Sequence, residues 1–337
     1  MKKKPLVSIL TPCYNSEHYV ERYLNSILKQ VYDNIQLIVV NDGSTDSTEK
    51  IVLSYMRKFE ERGYTLTYVY QENKGLGGAI NTSLKYIEGE YFTWCDSDNF
   101  YTDDYVKECV DFFENNNHCS ILRCDGYIVN ENDINTVIAK MSHGKQYLYC
   151  EDLFVNMLLE KNFHFGCAMI RTNSFDEVNP KREIYESREG QNWQLLLPVL
   201  YKYKAYYIDK PMFYFVYRAD SVSNITKRQD LKSRLKQVEE YEAIIIQSLN
   251  SIEMSDLERE RYFRLLKIKY SKIRLRYAFE YRNKELVQNE YSYLSTTGNT
   301  GVTDAIYYYC SKSSIFNFMY KCLCFYFKCT SKLRIRR

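Results

Sequence analysis

The first hundred residues alternate short apolar runs with segments whose apolar side chains recur at helical spacing. The runs cover residues 6–10, 35–40, 66–70 and 91–95, and each predicts a buried strand. Between the first two runs, one helical face carries the apolar positions Tyr19, Tyr23, Leu24, Ile27 and Leu28. Strands and helices that alternate in this way are typical of successive β-α-β units, which build a parallel sheet.

Polar residues predict where these helices begin. We expect Asn15 or Ser16 to cap the first helix. Asp46 and Glu49 have the spacing of a capping box for a second helix, which would pack through Ile51, Val52, Tyr55, Met56 and Phe59. The glycine-rich residues 73–78 are expected to form a loop before a helix over residues 79–86.

The alternation weakens after residue 105. The pattern predicts a helix over residues 105–114, a strand over 120–124 and short segments to about residue 217. Further on, many charged side chains stand between apolar positions at helical spacing, such as Leu235, Val238, Tyr241 and Ile244. We therefore predict an α/β domain with a mostly parallel sheet over 1–226, a helical C-terminal region over 227–310 and a basic tail over 311–337.

Positive charge is concentrated in that tail. The chain has a formal net charge of +3, but residues 311–337 hold seven Lys or Arg and no acid, so the remainder carries −4. A mildly acidic body lacks the clustered cations that binding to nucleic-acid phosphates requires. Nucleic acid is therefore excluded as an expected partner of the body.

Composition indicates a globular protein of a reducing compartment. Hydrophobic residues make up 45% and charged residues 26%, which excludes a disordered chain, and no apolar run approaches the roughly 20 residues of a spanning helix. The 11 cysteines include no CxxC pair, and Cys95, Cys124 and Cys167 lie in apolar runs, so we expect buried free thiols. The run at 6–10 is too short for a signal peptide, and the expected location is the cytoplasm.

Polar chemistry is expected at one edge of the sheet. Asp96 and Asp98 are separated by one residue and follow the fourth strand directly, while Asp42 follows the second and Thr11 the first. The carboxyl ends of parallel strands meet at one edge, where open sheets bind ligands. One carboxylate suits a ribose or base, and the other suits a hydrated divalent cation.

Two other kinds of cofactor site are not predicted. The run Gly75-Leu76-Gly77-Gly78 does not continue as a dinucleotide fingerprint, because Ile80 stands where the third glycine would be. The four histidines have no metal-ligand spacing, so a zinc site built on histidine is not expected.

The motifs together resemble those of glycosyltransferase family 2, whose members have a GT-A fold, a Rossmann-like sheet flanked by helices. The matching segments are residues 11–15, 39–46, 73–75 and 96–98, and the resemblance covers about residues 5–220. It implies that Thr11 and Asp42 hold a nucleotide base, that Asn73 and Asp96 hold the nucleoside, and that Asp98 binds Mg²⁺ or Mn²⁺ at the diphosphate. Asn15, Ser44 and Gly75 lie in the same motifs and are assigned to the nucleotide-sugar site.

A divalent cation fits the chemistry that the resemblance implies. A leaving nucleoside diphosphate gains negative charge as the bond to the sugar breaks, and a metal ion stabilises that charge without any proton transfer. Acidic loops alone would repel the diphosphate. We therefore expect a metal-dependent transfer, with inversion, from a nucleotide sugar, for which a UDP-sugar is favoured.

One segment departs from the family pattern. Many members carry a Glu-Asp pair before an aromatic residue, with the Asp as general base, whereas this chain has Gln191-Asn192 before Trp193. Neutral amides cannot take up a proton at neutral pH. Either Glu189 serves as base from a shifted position, which we favour, or the two amides orient the acceptor, or activity is lost. The last case would make the protein a silent nucleotide-sugar or glycan binder, a reading that the intact Asp96 and Asp98 oppose.

Two later segments also resemble the family. Tyr217-Arg218 with Ser221 and Ser223 is similar to a Tyr-Arg and serine segment near the end of the catalytic domain, and residues 165–171 are similar to an acceptor-side strand. Each has two readings: a direct contact with substrate, or a core strand with a stabilising arginine.

The tail predicts an interfacial helix. Residues 315–327 are mostly apolar and aromatic, with a narrow polar stripe of Asn317, Lys321, Cys324 and Lys328. The basic residues that follow would attract an anionic leaflet at about 1 kcal/mol each. A peripheral position on the inner leaflet would suit a lipid-linked glycan acceptor of a bacterial surface polysaccharide; the alternative is a helix packed on the protein with a frayed basic end.

Overall fold

A computed structural model describes residues 4–159, 168–188, 190–218 and 230–313. These residues form two compact units. The first contains the described residues before 225 together with Ile244–Met254, and the second contains those of Ile225–Ala243 and those from Ser255 onward.

The first unit is built on one sheet. Its strands, within the described residues, are β1 (Val7–Cys13), β2 (Ile35–Asp42), β3 (Thr65–Gln71), β4 (Tyr91–Trp94), β5 (Phe100–Tyr101), β6 (Ile121–Asn130), β7 (Asp133–Lys140), β8 (Ala168–Arg171) and β9 (Ala205–Tyr217). The strand order is β3-β2-β1-β4-β8-β6-β9-β5, with β7 paired to β6. Its helices are α1 (Val20–Leu28), α2 (Thr48–Ser54), α3 (Met56–Arg62), α4 (Gly75–Leu84), α5 (Tyr105–Asn115), α6 (Phe154–Leu158), α7 (Thr172–Val178) and α8 (Gln191–Lys202).

The predicted α/β class with a mostly parallel sheet is confirmed. Strand β1 runs parallel to β2 and β4, β2 runs parallel to β3, and β6 runs parallel to β9, while β8 is antiparallel to both β4 and β6. Every residue of β1 and β2 is buried, as expected for continuous apolar strands covered on both faces. Helix α1 packs on them through Tyr23, Leu24 and Ile27, which expose nothing to solvent.

Strand β1 and helix α1 differ from their predicted limits. Thr11 and Pro12 do not end β1, because its pairing with β2 extends to Cys13 opposite Asn41. The first helix is not capped by Asn15 or Ser16. Instead the Ser16 carbonyl accepts from the backbone N–H groups of Tyr19 and Val20 in a preceding turn, and α1 begins at Val20.

The predicted capping box after β2 is wrong. Asp46 accepts hydrogen bonds from the backbone N–H groups of Thr48 at 3.0 Å and Glu17 at 2.9 Å, so its carboxylate joins two loops. The helix that follows is also interrupted: α2 ends at Ser54, and α3 starts after Tyr55. Val52, Tyr55 and Phe59 are buried and Ile51 packs against the core, as predicted. Met56 is 41% exposed, so the prediction that it packs inward is wrong, because the break after Ser54 leaves it outside the apolar face.

The described cysteines agree with the thiol prediction. All are free, and they are buried except Cys150, which is half-buried. Cys95 and Cys124 are among the buried ones, whereas Cys167 lies outside the described residues.

The second unit is helical, as the charge and apolar pattern predicts. The C-terminal helices are α9 (Leu231–Asn250), which begins in this unit, α10 (Asp256–Glu280), α11 (Lys284–Thr296) and α12 (Val302–Lys312). Leu275, Ala278, Val287 and Leu294 form its apolar core. Arg274 joins α9 to α11 by ion pairs with Glu242 at 2.8 Å and Glu290 at 3.0 Å. The tail prediction for residues 315–327 falls outside the described residues.

Candidate functional site

The loops after β2 and β3 meet at Asp42. One carboxylate oxygen, Oδ1, accepts from Gln71 Nε2 at 2.6 Å and from the backbone N–H of Lys74 at 2.8 Å. The two loops approach closely because Gly43, at φ +75°, has no Cβ, and an added Cβ would lie 2.9 Å from the backbone nitrogen of Asn73. Asp42 is only 4% exposed, so these two hydrogen bonds hold its carboxylate in a fixed position.

Asn15 and Ser44 connect the loops after β1 and β2. The Asn15 N–H donates to Ser44 Oγ at 3.0 Å, and the Thr45 N–H donates to Asn15 Oδ1 at 2.9 Å. Asn15 has a positive φ of 47°, a conformation that asparagine tolerates better than most residues. Asn15 and Ser44 therefore lie in the loops after β1 and β2 and hold these loops together.

Thr11 does not reach this surface. It exposes nothing to solvent, and its hydroxyl is hydrogen-bonded to the Tyr23 hydroxyl of α1. The reason is the extension of β1 to Cys13, which leaves Thr11 inside the paired strand and under α1. The predicted contact between the Thr11 side chain and a nucleotide base is therefore corrected to a role in packing.

Asp96 and Asp98 lie on an anchored loop after β4. Between them, Ser97 is buried and donates its hydroxyl to Ser16 Oγ at 2.8 Å. The following Asn99 accepts from the Val216 N–H of β9 at 3.0 Å through Oδ1. These bonds hold the loop from both sides, so the two carboxylates are presented in a set position.

Arginine side chains surround Asp98. Arg218 Nη2 lies 3.1 Å from Asp98 Oδ2, and Arg22 Nη2 donates to the backbone carbonyl of Asp98 at 2.7 Å. The Arg218 guanidinium also lies over the Tyr19 ring, 4.4 Å from its centroid. In the sequence, Arg218 stands in a family-like motif that does not reveal its partner, and nothing marks Arg22.

Burial raises the pKa of both carboxylates. Crowding by protein atoms, and then the charge of Asp98, raise the pKa of Asp96, although its side chain remains exposed on one side. Burial likewise raises the pKa of Asp98, and the Arg218 guanidinium opposes that shift. A cation at this place stabilises the ionised form of both groups.

The residues present fit a metal ion that shares its coordination with a ligand. In the part of the chain that the structure describes, no group of three or more His, Cys, Asp or Glu side chains could enclose a metal alone. Asp98 and Asp96 offer carboxylate oxygens, the ligands that Mg²⁺ and Mn²⁺ prefer. Asp98 already attracts one positive group, Arg218, which shows that cations are favoured there.

The Gln191-Asn192 segment reaches β4. Helix α8 begins at Gln191 after Gly190, whose φ of +83° suits a residue without a Cβ. Trp94 Nε1, at the end of β4, donates to Asn192 Oδ1 at 2.9 Å. An indole only donates, so the amide oxygen must face it and the Asn192 NH₂ group turns away from Trp94. Gln191 is buried, and Glu189 lies outside the described residues.

The glycine-rich stretch is the start of α4, not the predicted loop. It supports the segment before α8: the Gly77 N–H donates to the Ser187 carbonyl at 2.8 Å, and a Cβ on Gly77 would lie 2.7 Å from that oxygen. Asn81 exchanges two hydrogen bonds with the backbone of Ile184, at 2.8 and 2.7 Å. Gly75, assigned to the nucleotide site, donates to Asn73 Oδ1 at 3.2 Å and lies beside Arg188.

The two remaining segments differ in role. Arg171 of β8 donates to the Cys119 carbonyl at 3.1 Å and lies over the rings of Tyr91 and Phe113, as a stabilising arginine would. Arg218 instead lies at the predicted site. Residues 165–167, Ser221 and Ser223 lie outside the described residues.

The sequence matches the family model described as glycosyl transferase family 2 over residues 8–178. An uncharacterized glycosyltransferase of Rickettsia typhi is 30% identical over 250 residues, which are 71% of this chain and 70% of that protein. Another of Rickettsia prowazekii is 36% identical over 43% of this chain, which spans only 40% of that relative. Glycosyltransferase GlyA of Streptococcus pneumoniae is 42% identical over 30% of this chain and 14% of its own length.

Solved structures share the fold. S. aureus TarS residues 1–349, in complex with UDP-GlcNAc, align with a TM-score of 0.57 at 18% identity, over 84% of this chain and 81% of that one. The mannosyltransferase PcManGT of Pyrobaculum calidifontis, in complex with GDP-Man and Mn²⁺, aligns with a TM-score of 0.52 at 15% identity, over 90% and 78%. At these identities the likeness concerns the fold, which is the GT-A fold that the motifs predict.

Proposed function

Because this chain belongs to glycosyl transferase family 2 and is a glycosyltransferase that uses a nucleotide-sugar donor, we propose that it transfers one sugar from a UDP-sugar to a hydroxyl of a glycan, with inversion. One observation carries the proposal. Asp98 and Asp96 stand on an anchored loop at the end of β4, at the same sheet edge as Asp42.

Asp98 is the residue proposed to hold Mg²⁺ or Mn²⁺. When bound, the ion supplies positive charge to the diphosphate as the leaving group departs. The donors in the related folds, UDP-GlcNAc for TarS and GDP-Man with Mn²⁺ for PcManGT, support this assignment. Asp42 is proposed to hold the base, and Asn73 and Asp96 the nucleoside. Asn15, Ser44 and Gly75 shape the loops around them.

Glu189 is proposed as the general base for the acceptor hydroxyl. Asn192 cannot take that proton, because it is an amide and its oxygen already accepts from Trp94. Its NH₂ group is instead a donor for an oxygen of a bound sugar. In the sequence, Glu189 directly precedes Gly190 and Gln191, and α8 begins at Gln191.

The test begins with a thermal-shift screen of nucleotide sugars in the presence of Mn²⁺. The donor that raises the melting temperature most is then followed for hydrolysis, and for transfer to glycan acceptors. Release of UDP that depends on Mn²⁺ supports a glycosyltransferase of this specificity. Stabilisation by a nucleotide sugar without any turnover would instead support the silent binding protein.

Asp42→Asn is expected to weaken UDP affinity by about tenfold, the value of one hydrogen bond to a charged group. The asparagine oxygen can still accept from Gln71 and Lys74, so the loop is kept while the second acceptor oxygen becomes a donor. Calorimetry should give the same loss with and without Mn²⁺. Gln71→Met, which removes one support but leaves the carboxylate, is the control and should change affinity less. A loss confined to Mn²⁺-containing samples would place Asp42 at the phosphates.

The basic tail is proposed to bind the inner leaflet of the membrane, where a lipid-linked acceptor would lie. The proposal rests on the sequence, where Lys332, Arg334, Arg336 and Arg337 follow an aromatic segment. Within the described residues, no helix combines the length and apolarity that crossing a bilayer requires.

Deleting residues 314–337 should release the protein from vesicles that contain anionic lipid and leave UDP affinity unchanged. Replacing the last four basic residues with glutamine should have most of that effect, because each contributes about 1 kcal/mol near an anionic surface. Binding of the full chain should weaken as salt is raised. Co-sedimentation with vesicles measures the loss of binding in the variants and the salt dependence of the full chain. Failure of the full chain to bind at low salt would favour a tail packed on the protein.

A further inference from the structure

We infer that Arg218 occupies the Asp98 carboxylate in the nucleotide-free enzyme, so that a divalent cation must displace this guanidinium to reach its ligand. The inference rests on the proposed function, since Asp98 is the proposed metal ligand. It adds an internal competitor to that site and predicts that a metal ion alone binds weakly.

The ion pair between Arg218 and Asp98 is partly buried and supported by neighbouring side chains. Arg218 Nη2 lies 3.1 Å from Asp98 Oδ2, and the two side chains are only 19% and 23% exposed, so solvent does not screen the pair as it would on the surface. The guanidinium is also held against the Tyr19 ring at 4.4 Å, and the Tyr19 hydroxyl donates to Glu131 at 3.1 Å. The Tyr19 ring, itself held by Glu131, therefore supports the Arg218 guanidinium beside Asp98.

Arg22 brings a second positive charge without occupying the carboxylate. It donates to the backbone carbonyl of Asp98 at 2.7 Å, and its guanidinium carbon lies 5.4 Å from the centroid of the Phe100 ring. The two arginines thus differ in one respect that matters for a metal ion. Arg218 covers a carboxylate oxygen, whereas Arg22 covers an atom that a carboxylate-bound ion does not need.

A divalent cation and the Arg218 guanidinium compete for Asp98 because both are positive and both need the same carboxylate oxygen. A divalent cation on Asp98 Oδ2 would stand next to a guanidinium 3.1 Å from the same oxygen, and the two repel each other strongly in a partly buried place. A lone ion gains one carboxylate and must remove Arg218. An ion that arrives with a nucleoside diphosphate gains phosphate oxygens as well, which offsets that cost. Mn²⁺ and UDP should therefore strengthen each other's binding, and by the same factor.

The experiment measures Mn²⁺ binding to the full chain without nucleotide, by loss of the free-ion signal in electron paramagnetic resonance. Arg218→Gln should tighten Mn²⁺ binding about tenfold relative to the wild type. Arg22→Gln is the matched control, because it removes the same charge but uncovers only a backbone carbonyl, and should change affinity less than threefold. Arg218→Lys, which keeps the charge but not the planar fork, should fall between wild type and Arg218→Gln. Circular dichroism melts establish that each variant is folded.

Unchanged or weaker Mn²⁺ binding in a folded Arg218→Gln would overturn the inference, as would an equal gain in Arg22→Gln. The double variant Asp98→Asn with Arg218→Gln distinguishes failure of this inference from failure of the proposed function. If the double variant keeps the tightened binding, the ion does not sit on Asp98, and the proposed metal site fails with the inference. If Arg218→Gln has no effect but Asp98→Asn abolishes Mn²⁺-dependent UDP binding, only the inference fails.

Discussion

Asp98→Asn should lower the Mn²⁺-dependent affinity for UDP by roughly 100-fold, because a neutral amide replaces the carboxylate that is proposed to hold the ion. Calorimetric titration of UDP with and without Mn²⁺ measures the loss. Affinity without metal should change little, since Asp42 is proposed to hold the base, and Asn73 and Asp96 the nucleoside. The fold should persist, because Ser97 and Asn99 anchor the loop on either side of Asp98.

Asp103→Asn is the control for that variant. Asp103 is an exposed acid five positions further along the chain, and its backbone carbonyl accepts from the Val31 N–H after α1, so its replacement removes the same charge at a different place. Equal losses in the two variants would indicate a general effect of charge. Unchanged Mn²⁺-dependent affinity in Asp98→Asn would refute the assignment of the metal site.

Glu189→Gln should lower the turnover number by roughly two to four powers of ten, the usual contribution of general-base catalysis. An alcohol that attacks an anomeric carbon must lose its proton as the bond forms, and glutamine cannot accept it. Donor affinity should remain nearly unchanged, because Glu189 is not assigned to the nucleotide. Steady-state transfer rates and calorimetric donor binding measure the two quantities separately.

Glu186→Gln provides the matched control, since it neutralises an exposed acid three positions away in the segment before α8. Asn192→Asp should do little alone and should partly rescue Glu189→Gln, because aspartate at this position can accept the same Trp94 N–H and also take up a proton. Normal turnover in Glu189→Gln together with loss in Asn192→Ala would mean that the amide pair orients the acceptor and another group takes the proton.

The glycine-rich residues support the segment that precedes Gln191 and Asn192, which explains why the sequence wrongly predicts a loop there. Glycine-rich residues between a strand and a helix predict a loop, yet α4 starts at Gly75. The glycines serve a neighbour that is distant in sequence: Gly77 allows the Ser187 carbonyl to approach the helix backbone at 2.8 Å. No local pattern reports such a contact, because only the missing Cβ makes it possible.

The sequence by itself determined the parallel sheet and the edge at which its chemistry collects. Apolar runs that alternate with helical segments allow few other arrangements, and parallel strands bring their carboxyl ends together. Asp42, Asn73, Asp96 and Asp98 could be placed at one edge by that rule alone. The approximate limits of β2, β3, β4 and α5 followed for the same reason, because local periodicity sets them.

Only the tertiary structure decided which polar side chains reach that edge of the sheet and which pack behind it. Thr11 follows the same rule as Asp42, but α1 covers it. Asn192 meets Trp94 across 98 positions of sequence, and Arg218 reaches Asp98 from the end of β9. Such pairs depend on how strands and helices pack across the sheet, and hydrophobic periodicity carries no information on which two distant polar residues will then face each other.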